Sequence, residues 1–233
     1  MQLIAPPFSD EALLDASTTM YPSRMQALQG ELELGHATSS FYGYVVSGHL
    51  RIRTRTIEAM LAAGGFFAVP GPVWLRSEGL AVVIERFGHR CLPQLGSIEE
   101  QGRLAYIDGC SDTILASPAR LGDPVLNHLH FPPGVRQSVH SHPSIRLGVV
   151  ARGEGLAFGP GPSGEWRQPL RAGAMFLLPA HELHAFSTAE SDAHVRKGDS
   201  PGALDIIAFH PDSDWGPTDA VHPMLNRTYL RPT

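Results

Sequence analysis

The chain has 233 residues, 42% of them hydrophobic and 18% charged, with a formal net charge of −5. That length suffices for one large domain or two small ones with real cores. Its eighteen Lys and Arg form no basic run, which speaks against nucleic-acid binding, and no apolar segment is long enough to suggest a membrane span.

The opening MQLIAPPFSDEALLD has neither the charged start nor the apolar run of a signal peptide, so a cytoplasmic protein is expected. Ser9 is a good N-cap before DEALLDA and predicts a short helix there. A second short helix is expected near SRMQALQG, residues 23–30. From residue 30 onward strand signals dominate. FYGYVVSGHLRIR (41–53), GGFFAVPG (64–71), GLAVVIERF (79–87) and RLAYIDG (103–109) are β-branched or aromatic runs bounded by Gly and Pro. VLNHLHFPPG (125–134), IRLGVVARGEGLAFG (145–159), AMFLLPA (174–180), HAFST (184–188) and LDIIAFHP (204–211) continue the series. Many short strands joined by turns predict an all-β sandwich or barrel. Cys91 and Cys110, in a chain without an export signal, read as free thiols.

An internal echo organises the chain. LAAGGFFAVP (61–70) and LRAGAMFLLP (170–179) superimpose without a gap, each preceded by a hydrophobic strand running through Gly: YVVSGHLRI (44–52) and GVVARGEGLAF (148–158). Such a repeat implies two copies of one fold, joined within the loop-rich stretch 88–120. The organisation read from this is a lead over 1–29, a first copy over 30–100, a second over 101–211 and a C-terminal extension over 212–233.

The chemistry concentrates in the second copy. Gly134, His140, His142, Arg146 and Gly153 form one spaced set, and Gly173, Pro179, His181, His184 and Thr188 form another. These sets resemble the two motifs of the cupins, G-x5-H-x-H-x3/4-E-x6-G and G-x5-P-x-G-x2-H-x3-N. Here Arg146 stands at the Glu position, His181 at the second Gly and Thr188 at the Asn. The resemblance is strong over 120–211 and weaker over 30–87. It implies two tandem cupin barrels with few short helices, and a metal in the mouth of the second.

Strand geometry agrees with that reading, because residues two apart point to the same face and His140 and His142 can both enter the barrel. His184 closes a three-nitrogen set around one divalent ion per chain. Fe(II) is favoured by the resemblance; Zn, Ni or Cu also suit imidazole, and Mn is a further candidate. Three protein ligands leave positions open, as a catalytic site requires. Arg146 cannot be a ligand. It either binds a substrate anion beside the metal or pairs internally with an acid, for which Glu182 and Asp205 are the candidates. His181 and Glu182 could stand behind the ligands as a second shell, or simply occupy an exposed turn.

Three further stretches carry expectations. His128 and His130 in NHLHF form a rival H-x-H, but if Leu129 and Phe131 face the core these histidines face outward. In the first copy, the overlay puts Gly35, Ala37 and Leu75 at the three ligand positions and leaves His36 as a surface residue. That copy therefore reads as metal-free and needs no cofactor. The segment 187–202 reads as a mobile hairpin loop. The tail 210–233 is expected to fold back through Trp215, Met224, Leu225 and Tyr229, with Asp212, Asp214 and Asp219 in Asx turns rather than a cation site.

The function these readings favour is a non-haem Fe(II) dioxygenase-type oxidoreductase acting on a small anionic or metal-chelating molecule. The alternatives are a non-catalytic binding or sensor protein and a metal-dependent isomerase or lyase. The resemblance also implies a homodimer.

Overall fold

The computed structural model describes residues 1–6, 8, 12–120, 122–162, 164–189 and 202–213. Among them almost every element is a strand, and the only helical piece is a single 3-10 turn at Ile107–Gly109. No helix among the described residues is long and apolar enough to cross a membrane.

One sheet takes the first part of the chain. It runs β2 (Leu13–Ala16), β3 (Ser23–Leu34), β7 (Val73–Arg86), β4 (Ser40–Arg53), β6 (Gly65–Pro70) and β8 (Gln94–Ser97), with β5 (Glu58–Ala62) added to β4. The other sheet runs β1 (Gln2–Ile4), β14 (Met175–Leu178), β12 (Arg146–Gly161), β16 (Leu204–His210), β11 (Val125–Phe131), β10 (Ser111–Ala116) and β9 (Leu104–Ala105). The strands β13 (Gly164–Arg171) and β15 (Ala185–Ser187) both pair with β12. All pairings are antiparallel, and β1 reaches across the chain to pair Leu3 with Phe176 of β14.

Neither expected helix forms among the described residues. Leu13–Ala16 alternates exposed and buried positions as β2, and residues 23–30 lie within β3, paired along β7 from Ser23↔Arg86 to Leu34↔Val73. The letters of DEALLDA and SRMQALQG favour a helix locally, but a long ladder of partner hydrogen bonds overrides that weak preference. Ser9, Asp10 and Glu11 lie outside the described residues, as do 190–201 of the expected hairpin loop and 214–233 of the tail, with Asp214, Trp215, Asp219, Met224, Leu225 and Tyr229.

The sequence echo is built twice in the backbone. In the first copy the turn after β5 sets Gly64 at φ +87°, and in the second the turn after β13 sets Gly173 at φ +87°. Each turn docks on its long neighbouring strand in the same way. Gly64 N–H donates to Val45 O at 2.9 Å and Gly173 N–H to Val150 O at 2.8 Å. At those places both long strands are irregular, between Val45 and Ser47 in β4 and between Val150 and Arg152 in β12. Gly48 and Gly153 follow at φ +71° and +76°, and a Cβ on either would lie 1.9 Å from a carbonyl oxygen, of Glu78 and Ala203 respectively. Only glycine fits such a bulge. The pairing is duplicated as well: Gly43 opposes Phe67 and Gly148 opposes Phe176, each ring lying against the bare glycine.

Packing separates the two copies by their contents. The interior of the first is filled by a cluster that includes Leu34, Phe41, Leu50, Ile52, Phe67 and Leu75. Between the sheets lies a second apolar layer, in which Tyr42, Tyr44, Val82 and Ile84 meet Leu126, Val149, Ile207 and Phe209. The Tyr42 and Phe209 rings stand 4.9 Å apart at its centre. The interior of the second copy is walled by Leu129, Phe131, Phe176, Phe186 and Ile206, yet it is not filled, and histidines occupy its open end.

Candidate metal centre

The histidine site is assembled where an irregular segment runs beside β15. Residues 134–140 pair with 184–188, and the pairing slips by one residue between its two isolated bridges, Arg136↔Ser187 and His140↔His184. Backbone hydrogen bonds lock the second bridge, His140 N–H to His184 O and His184 N–H to His140 O, both at 2.9 Å. Thr188, which stands where the cupin motif it resembles has Asn, fastens the start of the segment. Its hydroxyl donates to Pro132 O at 2.6 Å and accepts from Val135 N–H at 3.1 Å.

Three rings converge as a result. The donor nitrogens of His140, His142 and His184 all lie within 4.8 Å of one another, with ring centroids 4.6 to 5.2 Å apart. His142 and His184 are buried, and His140 is partly exposed at the opening. Two of the rings have their tautomer set by the backbone. His140 Nδ1 donates to Ser138 O at 2.9 Å and His184 Nδ1 to Glu182 O at 2.8 Å. A carbonyl can only accept, so Nδ1 carries a proton, and in the neutral ring Nε2 keeps the lone pair. Burial, with Arg146 next in effect, holds His142 well below the ordinary histidine range, so this ring is neutral as a ligand must be. Imidazole nitrogens that converge in this way are the donor set that a divalent transition metal takes.

Arg146 opens β12 and lines the same cavity, itself buried. Its Nη1 donates to Ser144 O at 3.1 Å, to the Ser144 hydroxyl at 2.6 Å and to Ile145 O at 2.9 Å. That hydroxyl donates in turn to Asp212 Oδ1 at 2.6 Å. The two acids expected as alternative partners are engaged elsewhere: Glu182 accepts from the Met1 amino group at 3.3 Å, and Asp205 serves three other side chains.

His181 is exposed and adopts φ +62°, the left-handed conformation for which the resembled cupin motif places Gly. Its backbone N–H donates to His142 O at 2.6 Å. His181 thus shapes the turn through its backbone, and Glu182 supports His184 through its carbonyl rather than its carboxylate.

The rival pair is not where a metal could use it. Leu129 and Phe131 line the cavity, and His128 and His130 face away from it. They are not solvent-facing, however: His128 is fully buried and His130 nearly so. His128 Nε2 and His130 Nδ1 donate to Asp205 Oδ1 at 2.8 and 2.9 Å, and Arg152 Nε donates to Oδ2 at 2.9 Å. Burial alone would raise the Asp205 carboxyl, but these three hydrogen bonds hold it below its ordinary value. In the first copy, Leu75 is fully buried in apolar surroundings. His36 is half-exposed and paired with the buried Glu85 at 2.5 Å. Cys91 and Cys110 are free thiols.

Sequence reasoning missed two polar residues of the cavity. His210, the last residue of β16, is buried with its ring 6.1 Å from His142. Gln137, three residues before His140, is also buried against the cavity. Neither belongs to a motif frame. The alternation of Ile206, Ala208 and His210 along a strand would have placed His210 inward, had the facing of that strand been known. The open space amid these side chains admits the centre of a water molecule over about 20 Å³, room for one or two water-sized groups.

No family model matches the sequence, and no curated protein matches it. Solved structures do match in fold. A cupin 2 conserved barrel domain protein from Leptotrichia buccalis aligns with a TM-score of 0.58 at 15% identity, over 89% of this chain and 88% of that one. The protein YlbA from E. coli aligns at 0.61 and 16%, over 86% and 82%. The salicylate 1,2-dioxygenase of Pseudoaminobacter salicylatoxidans aligns at 0.55 and 10%, over 80% and 70%. The chain therefore has the fold of the cupin barrels, nearly all β, with a triad of histidines able to hold a metal.

Proposed function

We propose that the chain is a bicupin whose second barrel holds one divalent metal ion, through His140, His142 and His184, and acts on a small anionic or chelating molecule. The observation that carries this reading is the convergence of three imidazoles, two of them buried and two with Nδ1 tied to a carbonyl. The first copy, its interior packed with Leu34, Phe41, Phe67 and Leu75, is proposed as scaffold.

Among the possible reactions we favour a dioxygenase-type oxidation with Fe(II). When bound, ferrous ion would supply open coordination positions and redox chemistry with dioxygen. The chain's own part is binding and environment. Arg146 brings a fixed positive charge to a pocket whose three ligands carry none, which favours an anionic substrate. Phe131, Phe176, Phe186 and Leu178 wall the cavity and lower its dielectric, strengthening that attraction. The solved cupin dioxygenase that shares the fold supports the reaction class by analogy of fold only.

One observation favours a second reading, a binding or sensor protein. The free space is small, about 20 Å³ for the centre of a water-sized group, and suits capture of a small ligand as well as turnover.

The deciding measurement is oxygen consumption by anaerobically Fe(II)-loaded protein offered carboxylates, diketones and catechols. Stoichiometric consumption with one class, abolished in His184→Ala, is the expected result. Tight binding of one compound without consumption would instead establish the sensor, and failure to retain any divalent ion would overturn both.

A further inference from the structure

Gln137 sits where the pairing of 134–140 with 184–188 slips by one residue. Its backbone N–H donates to Phe186 O at 3.0 Å, and its side-chain Oε1 accepts from Phe186 N–H at 3.3 Å. The side chain thus supplies the acceptor that the slipped backbone cannot. Because its partner is a donor, the oxygen end of the carboxamide is identified by the hydrogen bond rather than by convention. The other end, Nε2 with two N–H groups, takes no hydrogen bond among the described residues. Gln137 is 3% exposed and lines the cavity shared by His140, His142, His184 and Arg146.

That nitrogen is not one of the side-chain atoms sealed from solvent without a partner, so a molecule entering the cavity can reach it. Loss of the Phe186 bond would be avoided equally well by a Glu, which would also sit as an anion beside the metal ligands. The residue present keeps the acceptor and adds a donor. From this we propose that Gln137 Nε2 is a ligand-binding group, donating a hydrogen bond to an oxygen of the anion held at the metal. The proposal rests on the metal-centre reading above and narrows its substrate class. Gln137 Nε2 offers donors and no acceptor, and Arg146 adds positive charge to the same cavity, so the bound group presents an anionic acceptor oxygen. A carboxylate meets that requirement. A neutral alcohol carries no such charge, and an ammonium group cannot accept at all.

The test uses the full chain loaded with Co(II), whose visible absorption reports coordination, and titrated with acetate as probe. Wild type should take up one Co(II) per chain and change its spectrum on addition of acetate. Gln137→Met, of similar length but without donor or acceptor, should bind Co(II) equally and weaken acetate about tenfold, the scale of a hydrogen bond to a charged group. Gln137→Glu keeps the acceptor for Phe186 N–H and replaces the donor by a negative charge. It should retain the fold and lose acetate binding altogether. Acetate affinity unchanged in Gln137→Met overturns the inference, as does wild-type affinity in Gln137→Glu should the Met variant not fold. Absence of any acetate response in Co(II)-loaded wild type overturns it too. No Co(II) uptake by wild type, seen before acetate is added, overturns instead the metal reading beneath it.

Discussion

At the scale of single residues, the site depends on which nitrogen of each histidine carries its proton. Two of the three rings are fixed by carbonyls two residues upstream, and the third is neutral because it is buried beside Arg146. Removing one ring should therefore be felt mainly as lost metal. His142→Ala should lower divalent-metal affinity by more than the tenfold to hundredfold typical of an outer partner, with far-ultraviolet circular dichroism unchanged; undiminished affinity by competitive chelator titration would count against the triad. A second expectation concerns Asp112. It is buried in β10, accepts two hydrogen bonds from Asn127 Nδ2 at 3.1 and 2.8 Å, and is nonetheless raised by burial to about 6. In the unfolded chain it ionises near 3.8. Between those values the folded state holds a proton that the unfolded state has released, so stability falls as pH rises from about 4 to 6 and is level above. The loss attributable to Asp112 amounts to roughly 3 kcal/mol at most. Asp112→Asn should flatten that limb in denaturant titrations run across the range, and an unchanged slope would show that another group causes it. The triad and Arg146 were legible in the sequence because cupin spacing frames them. Gln137 and His210 were not, since a register slip and a strand's facing are tertiary facts with no local signature.

At the scale of elements, the same turn, bulge and glycine–phenylalanine contact are made twice from different letters. The sequence revealed this echo because glycine is required wherever the backbone enters the left-handed region or a ring lies against it, so those positions resist disguise. A Cβ at Gly148 would lie 2.2 Å from the Phe176 ring, and one at Gly43 would lie 2.5 Å from the Phe67 ring. Gly148→Ala and Gly43→Ala should each destabilise by about 1–3 kcal/mol through overpacking, read as lowered urea midpoints. Only the first should also weaken metal binding, because Phe176 lines the histidine cavity and Phe67 does not. Equal effects on metal would mean that the two interiors are coupled. The two expected helices failed for the complementary reason: their letters were helical, but β3 gains a full ladder against β7 that no segment-level reading could anticipate.

At the scale of the whole molecule, two antiparallel sheets share an apolar layer, and one holds the histidine triad while the other encloses an apolar core. Metal analysis of purified protein should find one divalent ion per chain and none in a variant lacking both His140 and His184. A second equivalent surviving that change would place a site in the first copy, against its Leu75-centred core. Arg152 joins the halves more directly. Besides holding Asp205 it donates to Glu99 O at 2.9 Å and Glu100 O at 3.2 Å, in the stretch that links one sheet to the other. That stretch looked loop-rich in sequence, and its composition gave no sign of being pinned.

The paired carbonyl locks on His140 and His184 have a kinetic consequence. Two rings need no search among tautomers when an ion arrives, because their orientation was settled as the chain folded. Uptake should then proceed near the rate at which the hydrated ion sheds water, ranking metals by their exchange lability before any ranking by affinity is reached. Which ion the chain carries in a cell would accordingly be decided first by encounter.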